Sequence, residues 1–222
     1  MKIHLTIKRK KGIKHMKNKN YLCLGGKKIE IPADKLVEIK NALQRKPPVS
    51  LEEMPSGETI AHVGKYDFLV LERSGDTIAM VLKGLYRENI KFGPNNDYRG
   101  SNVQKICREF AEEISDIVGE ENLVEHTVDL TSDDGLKDYG KIKERVSLLT
   151  TELYRRYVDV LDLDRLQKYW WLATPYSTPK HEDSNWIKCV SPRGYIYDGF
   201  YHYFGVRPFC IFSSSIFGSF EE

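Results

Sequence analysis

The chain has few cysteines. Cys23, Cys107, Cys189 and Cys210 are the four among 222 residues, and they form no C-x-x-C pair. Zinc sites and disulfide-rich secreted folds are therefore not expected, whereas buried thiols in a reducing compartment are. A disulfide between Cys189 and Cys210 is the alternative, since both cysteines fall in predicted C-terminal strands.

Long apolar runs are also missing. No stretch approaches the roughly 20 apolar residues that a membrane helix requires, and the N-terminus lacks the apolar core of a secretory signal. The mean hydropathy of −0.48 and the 30% of charged residues are typical of a globular protein. We therefore expect a cytoplasmic protein with no membrane partner, and incorporation into a virion is the alternative.

The sequence lacks the common catalytic signatures. It contains no G-x-G-x-x-G, Walker loop, G-x-S-x-G or H-E-x-x-H motif. The segment DLTSDDG, residues 129–135, has Gly140 where a calcium loop needs a bidentate glutamate. These absences predict a non-enzymatic protein without metal or cofactor, and a redox or metal site near Cys189 and Cys210 is the enzymatic alternative.

Charge is unevenly distributed along the chain. The formal net charge is +2, but residues 1–15 carry six basic residues and no acid, while residues 109–164 carry sixteen acids against six bases. The basic leader is interpreted as a nucleic-acid-binding arm, a solvated tail, or a segment that precedes a natural start at Met16. We favour the start at Met16 and do not expect nucleic-acid binding.

Local patterns divide the chain into four segments. Residues 1–16 are predicted to be a disordered leader or a mis-assigned start, and residues 17–45 a small appendage with a hairpin and a helix. The proline-rich residues 46–56 are predicted to be a linker. Residues 57–222 are predicted to form the main domain.

Strands precede and follow two helices in the main domain. Two apolar runs flank Ser74, Gly75 and Asp76, which predicts a hairpin. An apolar stripe with Ser101 as N-cap predicts a helix over residues 101–118, and a second helix is expected to begin at Thr150 or Thr151. Short strands follow up to residue 212, so the fold class is α+β.

Several motifs resemble a family of uncharacterised domains in Gram-positive bacteria and their phages. They include GKYDFLVLE, FGPNNDYRGSNV, VEHTVDLTSDDGLKDYG, VSLLTTELYRRYVDVLD, YWWLATPYSTP, NWIKCVSPRGYIYDG and YFGVRPFCIFSSSIF, and the resemblance covers residues 57–217. The order W-W-L, W-x-x-x-V, G-x-I and G-V-R-P is similar to the C-terminal half of C-type-lectin-like domains, which include formylglycine-generating enzymes. The resemblance implies two helices, short irregular antiparallel strands and a binding face formed by loops.

Two departures narrow what this resemblance implies. The segment EDSNW, residues 182–186, matches neither the E-P-N tripeptide nor the W-N-D strand of calcium-dependent lectins. Cys189 and Cys210 lack the local motif of the copper-binding cysteines in the oxidases. Neither calcium-dependent sugar binding nor formylglycine chemistry is expected.

Aromatic residues concentrate near the C-terminus, where residues 169–212 hold thirteen of the chain's twenty-five. Gly205 is predicted to mark a bulge, Arg207 to pair with a buried acceptor or stack on a ring, and only one of Trp170 and Trp171 to enter the core. The candidate ligand-binding residues are those on predicted loops or outward positions: Tyr176, Lys180, His181, Asn185, Lys188, Tyr195, Tyr197, Asp198, Tyr201, His202 and Tyr203.

This tyrosine-rich set predicts recognition, because tyrosine supplies a large contact area and a hydroxyl group at a low entropic cost. The alternative is that the tyrosines pack at the rim of a small core. We expect a phage- or prophage-type protein of the bacterial cytoplasm that binds a protein or glycan through these loops. Another hypothesis is an intracellular inhibitor of a host enzyme or defence protein that acts through the acidic residues 109–164.

Overall fold

A computed structural model describes residues 20–24, 27–32, 35, 49–181, 185–199 and 202–217 of the chain. The chain divides into two units, residues 1–47 and 48–222. In the first unit, strands β1 (Asn20–Leu24) and β2 (Lys27–Ile31) pair antiparallel, as the hairpin prediction requires. The basic leader and nearly all of the helix expected after Pro32 lie outside the described residues.

The described residues of the second unit form three helices and mostly antiparallel strands, so its α+β class is confirmed. In chain order its elements are β3 (Val49–Glu53), β4 (Thr59–Val63), β5 (Tyr66–Ser74), β6 (Thr77–Leu82), β7 (Arg87–Lys91), α1 (Asn102–Val118), β8 (Leu123–Val124), β9 (His126–Asp129), β10 (Lys141–Glu144), β11 (Val146–Ser147), α2 (Thr151–Arg156), α3 (Val158–Leu163), β12 (Trp170–Pro175), β13 (Ile187–Val190), β14 (Ile196–Gly199), β15 (Tyr203–Val206) and β16 (Phe209–Ser213), with 3-10 turns at Glu120–Asn122 and Ser214–Phe217.

The larger sheet has seven strands in the order β11-β16-β6-β5-β4-β3, and β8 also pairs with β16. The predicted hairpin is formed by β5 and β6, and Gly75 adopts a φ of +55° in its turn. Strand β3 lies within the predicted linker 46–56, and this corrects the prediction. Its residues pair with β4, and Val49 is buried, so the segment belongs to the sheet despite the prolines nearby.

The smaller sheet has five strands in the order β14-β13-β12-β15-β7, and only the β12–β15 pair is parallel among the described residues. The prediction that only one of Trp170 and Trp171 enters the core was wrong, because both are about 1 to 2% exposed. Consecutive side chains point to opposite faces of a strand. Both faces of β12 are covered: Trp170 joins the core cluster of α2 and α3, and Trp171 joins that of α1.

Helix α1 follows the sequence prediction closely. The Ser101 side chain accepts a hydrogen bond from the backbone N–H of Gln104, which caps the helix. Its apolar stripe at Val103, Cys107, Phe110 and Ile114 is buried. The second predicted helix begins at residue 151 as expected but is broken at residue 157 into α2 and α3, so the described part of the main domain has three helices rather than two.

The aromatic segment after residue 200 is divided between the two sheets. Strands β15 and β16 are separated at Arg207 and Pro208, because proline cannot donate a ladder hydrogen bond. The register of β15 against β7 shifts between Phe204 and Val206, which confirms the predicted irregularity at Gly205. A Cβ at Gly205 would collide with the side chain of Leu85.

Arg207 has the structural role that the sequence predicts. Its side chain is 1% exposed and contacts Oδ2 of Asp164 at 2.9 Å. The guanidinium group also donates to the backbone carbonyl of Leu82 at 2.7 Å and lies 5.3 Å from the ring centroid of Trp170. Arg207 therefore ties the segment between β15 and β16 to the end of α3.

Candidate functional site

An open pocket of about 600 Å³ lies among the C-terminal strands. Its lining contains four of the predicted binding residues together with one tryptophan, namely Tyr176, Trp186, Tyr197, Asp198 and His202. Strand β14 contributes two of these residues, and the others lie just outside β12, β13 and β15. The structure thus brings together side chains that are up to 26 residues apart in sequence.

Three aromatic side chains in this lining keep much of their surface exposed. Tyr176 is 39% exposed, Trp186 37% and Tyr197 59%. Large exposed aromatic residues are uncommon in groups on a protein surface, and such groups mark binding sites. The polar groups of Asp198 and His202 share the pocket with the rings, so it can offer both apolar contact and directed hydrogen bonds.

Lys188 was expected to point outward, and this expectation was wrong. Its side chain is 8% exposed, and its ammonium group lies 2.7 Å from Oδ1 of Asp198 and 2.9 Å from Oδ2 of Asp133. The same ammonium group lies 4.9 Å from the ring centroid of Tyr176. Burial by itself would lower the pKa of Lys188, but the contacts with both carboxylates raise it overall, so the group stays charged.

A buried asparagine holds the two sides of the pocket together. Asn96 is fully buried, and its Nδ2 donates to the carbonyl oxygens of Ser177 and Trp186, each at 2.9 Å. Tyr139 donates to Oδ1 of Asn96 at 2.7 Å. The backbone N–H of Tyr176 also donates to the Trp186 carbonyl, so these contacts fix the spacing between two pocket residues.

Replacing Asn96 by alanine is expected to lower the free energy of unfolding by about 1 to 3 kcal/mol, because buried polar groups lose their partners. Urea denaturation measures this loss. Asn95→Ala is the matched control, since Asn95 is exposed, and it should change stability by about 0.5 kcal/mol or less. Equal effects of the two substitutions would contradict the role given to Asn96.

Lys180 and His181 act as tethers of the loop that follows β12. Lys180 lies 2.7 Å from Oδ1 of Asp138, and Nδ1 of His181 lies 2.9 Å from Oδ2 of Asp134. Burial tends to raise the pKa of Asp134, but hydrogen bonds from Ser132, Ser177 and His181 outweigh it and lower the pKa to about 2. The segment DLTSDDG thus contacts the loop that follows β12 through the ionised carboxylate of Asp134.

The remaining predicted residues lie in other places. Tyr195 is 66% exposed next to β14, and Tyr203 is 61% exposed and lines a separate cavity of about 290 Å³ with Tyr169. Asn185 shares a small cavity with His202. Tyr201 lies outside the described residues.

Sequence reasoning missed Trp186 and Asn96. Trp186 had a usable signal, because a tryptophan among polar residues before a predicted strand is a candidate contact residue. Asn96 had only its place in the turn-like segment GPNND, which does not identify its distant partners. Its role depends on contacts more than 80 residues away in sequence.

The acidic segment 109–164 is largely neutralised within the structure. Ten of its sixteen acids contact a basic side chain, as in the pairs of Glu144 with Arg108 and Asp129 with Lys141. An exposed stripe on α1 is different. Glu109, Glu112 and Asp116 have no ion-pair partner within the part of the chain that the structure describes.

Cys107, Cys189 and Cys210 are buried free thiols. Burial raises the pKa of Cys107 and of Cys189 to about 12, which disfavours a reactive thiolate at either position. Cys189 lies in β13 and Cys210 in β16, so the alternative of a disulfide between them was wrong. Among the described residues, no group of three or more His, Cys, Asp or Glu side chains could hold a metal ion.

Comparison with known proteins adds no relative: no family model, curated protein or solved structure matches the chain. Within the described ranges, no helix has both the length and the apolar character needed to cross a membrane.

Proposed function

We propose that this chain is a non-enzymatic binding protein of the phage or prophage type, with a C-type-lectin-like domain that presents a tyrosine-rich C-terminal face to a protein or glycan. The pocket lined by Tyr176, Trp186, Tyr197, Asp198 and His202 is the centre of this face. Its location is proposed to be the bacterial cytoplasm, and virion association is the alternative.

The fold proposal is supported by the arrangement of short strands and loops. A sheet of short strands supports loops that carry the exposed aromatic residues, as the resemblance to C-type-lectin-like domains implies. Helix α1 packs in one core cluster, and α2 and α3 pack in the other. A rigid scaffold of this kind holds binding loops in place before a ligand arrives, which lowers the entropic cost of association.

The observation that carries the functional proposal is the grouping of exposed aromatic rings in one pocket. Tyr176, Trp186 and Tyr197 would bury their exposed surface against a ligand and supply most of the binding free energy. Asp198 and His202 would orient the ligand through hydrogen bonds. Buried contacts of Asn96 fix the loops, so the pocket is formed before binding.

A pull-down from a bacterial host lysate, followed by affinity measurement with the captured partner, tests this proposal. Tyr197→Ala and Trp186→Ala are each expected to weaken binding by about tenfold or more. Truncation of an aromatic residue at the centre of an interface causes the largest losses of binding free energy. The matched control is Tyr195→Ala. Tyr195 is 66% exposed, close to the 59% of Tyr197, and is not part of the described pocket lining, so its replacement should change the affinity by less than about threefold.

The proposal would be wrong if every specific partner bound the Tyr197→Ala and Trp186→Ala proteins as well as the unchanged protein. Circular dichroism and urea denaturation of each variant are needed beside the affinity measurement. Both residues are partly exposed, so the variants should fold.

A second candidate function, an inhibitor of a host enzyme or defence protein, rests on the unpaired stripe of Glu109, Glu112 and Asp116 on α1. Binding through this stripe would fall steeply with added salt and would be lost in a protein carrying Glu112→Gln and Asp116→Asn. Binding through the aromatic pocket would be nearly unchanged by these two substitutions. The two sets of variants therefore separate the two functions.

A further inference from the structure

The protein already holds one alkylammonium group, that of Lys188, against two residues of the aromatic pocket. The ammonium group of Lys188 contacts the carboxylates of Asp133 and Asp198 and lies 4.9 Å from the ring centroid of Tyr176. This is a cation–π contact supported by two anions. The Tyr176 ring and its neighbouring carboxylates therefore form an environment in which a positively charged nitrogen is stable.

The charges around Lys188 balance one another, and one of the carboxylates also belongs to the pocket lining. Two carboxylates, Asp133 and Asp198, face the ammonium group of Lys188, and Asp133 also lies 3.5 Å from the guanidinium group of Arg155, so these four charges sum to zero. The Asp198 side chain is 37% exposed, so its carboxylate is accessible from the pocket. Lys180, a nearby cation, is paired with Asp138. Asp198 supplies a carboxylate to the pocket lining, and this group would attract a cationic ligand and repel an anionic one.

The aromatic lining favours a cation for a second reason. The face of an aromatic ring carries partial negative charge, and the faces of tryptophan and tyrosine bind ammonium groups best when the groups are weakly hydrated. Tyr176, Trp186 and Tyr197 line one open pocket with a carboxylate beside them. A pocket that combines several aromatic rings with a carboxylate is complementary to an alkylated ammonium group.

We propose that the pocket binds an alkylammonium group presented by the ligand, through the rings of Tyr176, Trp186 and Tyr197 and the carboxylate of Asp198. This inference rests on the proposed function, because it names the chemistry that the same pocket selects. It predicts that the partner carries a lysine-like or quaternary ammonium group at the centre of its contact surface.

The three tryptophans provide a direct readout. Trp170 and Trp171 are buried in the smaller sheet, and Trp186 lines the pocket. In ¹⁵N-labelled full-length protein, the indole signal of Trp186 is assigned as the one that disappears in Trp186→Phe. The protein is then titrated with tetramethylammonium, n-butylammonium and the neutral isostere tert-butanol, which compares the affinities of charged and neutral ligands of similar size. The two cations distinguish a quaternary from a lysine-like group.

The expected result is a saturable shift of the Trp186 signal with at least one cation, at an affinity about tenfold or more above that of tert-butanol. Tyr197→Ala should reduce the cation affinity by about tenfold, whereas Tyr197→Phe should retain it, because phenylalanine keeps the ring. Asp198→Asn should lower the affinity for the cation by about threefold to tenfold without changing the response to tert-butanol.

Binding of both cations with no higher affinity than tert-butanol would overturn the cation inference but leave the pocket as a binding site. No response to either cation, together with a captured partner whose binding depends on Tyr197 and Trp186, would also overturn this inference and leave the proposed function intact. The proposed function itself fails only if partner binding is independent of these residues, so the two failures are distinguishable.

Discussion

Replacing Arg207 by methionine is expected to lower the free energy of unfolding by about 3 to 5 kcal/mol, because it leaves the half-buried Asp164 without its partner. Burial lowers the pKa of Arg207 to about 10 and raises that of Asp164, so both groups have lost much of their hydration. The substitution also removes the donor to the Leu82 carbonyl. Urea denaturation followed by circular dichroism measures the change.

A double variant separates the ion pair from packing. Adding Asp164→Leu to Arg207→Met should restore part of the lost stability, because replacing both members of a buried pair by apolar residues is close to neutral. Arg207→Lys keeps the charge but loses the planar donor group. Its free energy of unfolding should therefore lie between that of Arg207→Met and that of the unchanged protein. A loss below about 1 kcal/mol in Arg207→Met would contradict the structural role of this pair.

The second large effect is expected at Trp171, where replacement by alanine should cost about 3 to 5 kcal/mol. The side chain is 1% exposed and donates from Nε1 to the carbonyl of Ile90 at 2.7 Å. Its ring lies 5.6 Å from that of Phe92 and 4.6 Å from that of Phe204. Because β12 is an inner strand of the smaller sheet, the resulting cavity cannot be filled by solvent-exposed side chains.

Tyr197→Ala is the matched comparison for Trp171→Ala. Tyr197 is 59% exposed on the edge strand β14, so its loss should change stability by about 1 kcal/mol or less. The two variants should thus differ in opposite ways. Trp171→Ala should lose stability, whereas Tyr197→Ala should lose binding affinity and keep its stability. A large stability loss at Tyr197 would mean that the pocket tyrosine is part of the core and not a contact residue.

Local signals in the sequence predicted much of the fold. The cap at Ser101, the apolar stripe of α1 and the β5–β6 hairpin depend on residues close in sequence, so pattern and turn chemistry are sufficient. Gly205 and Arg207 were also predicted, because a strand glycine and a buried arginine each have few structural roles. Parts that depend on distant partners were not predictable, such as the burial of both Trp170 and Trp171.

For the candidate site, the sequence identified residue types better than their positions. Tyr176 and Tyr197 were predicted from the high density of tyrosines after residue 169, and the structure places both in one pocket. Lys188 was misplaced because its burial requires Asp133, which lies 55 residues earlier. The local sequence did not identify Asn96, since it acts through the backbone carbonyls of Ser177 and Trp186, which are more than 80 residues away in sequence.

Partner binding is proposed to take place at the aromatic pocket of Tyr176, Trp186, Tyr197, Asp198 and His202. Chemical-shift mapping of the captured partner on ¹⁵N-labelled protein tests it most directly, with the indole signals of Trp170, Trp171 and Trp186 as reporters. The largest shifts are expected at Trp186, Tyr176 and Tyr197, and Tyr197→Ala should require a partner concentration about tenfold higher or more to reach the same shifts. Shifts confined to the exposed face of α1, with the Trp186 signal unchanged, would contradict it.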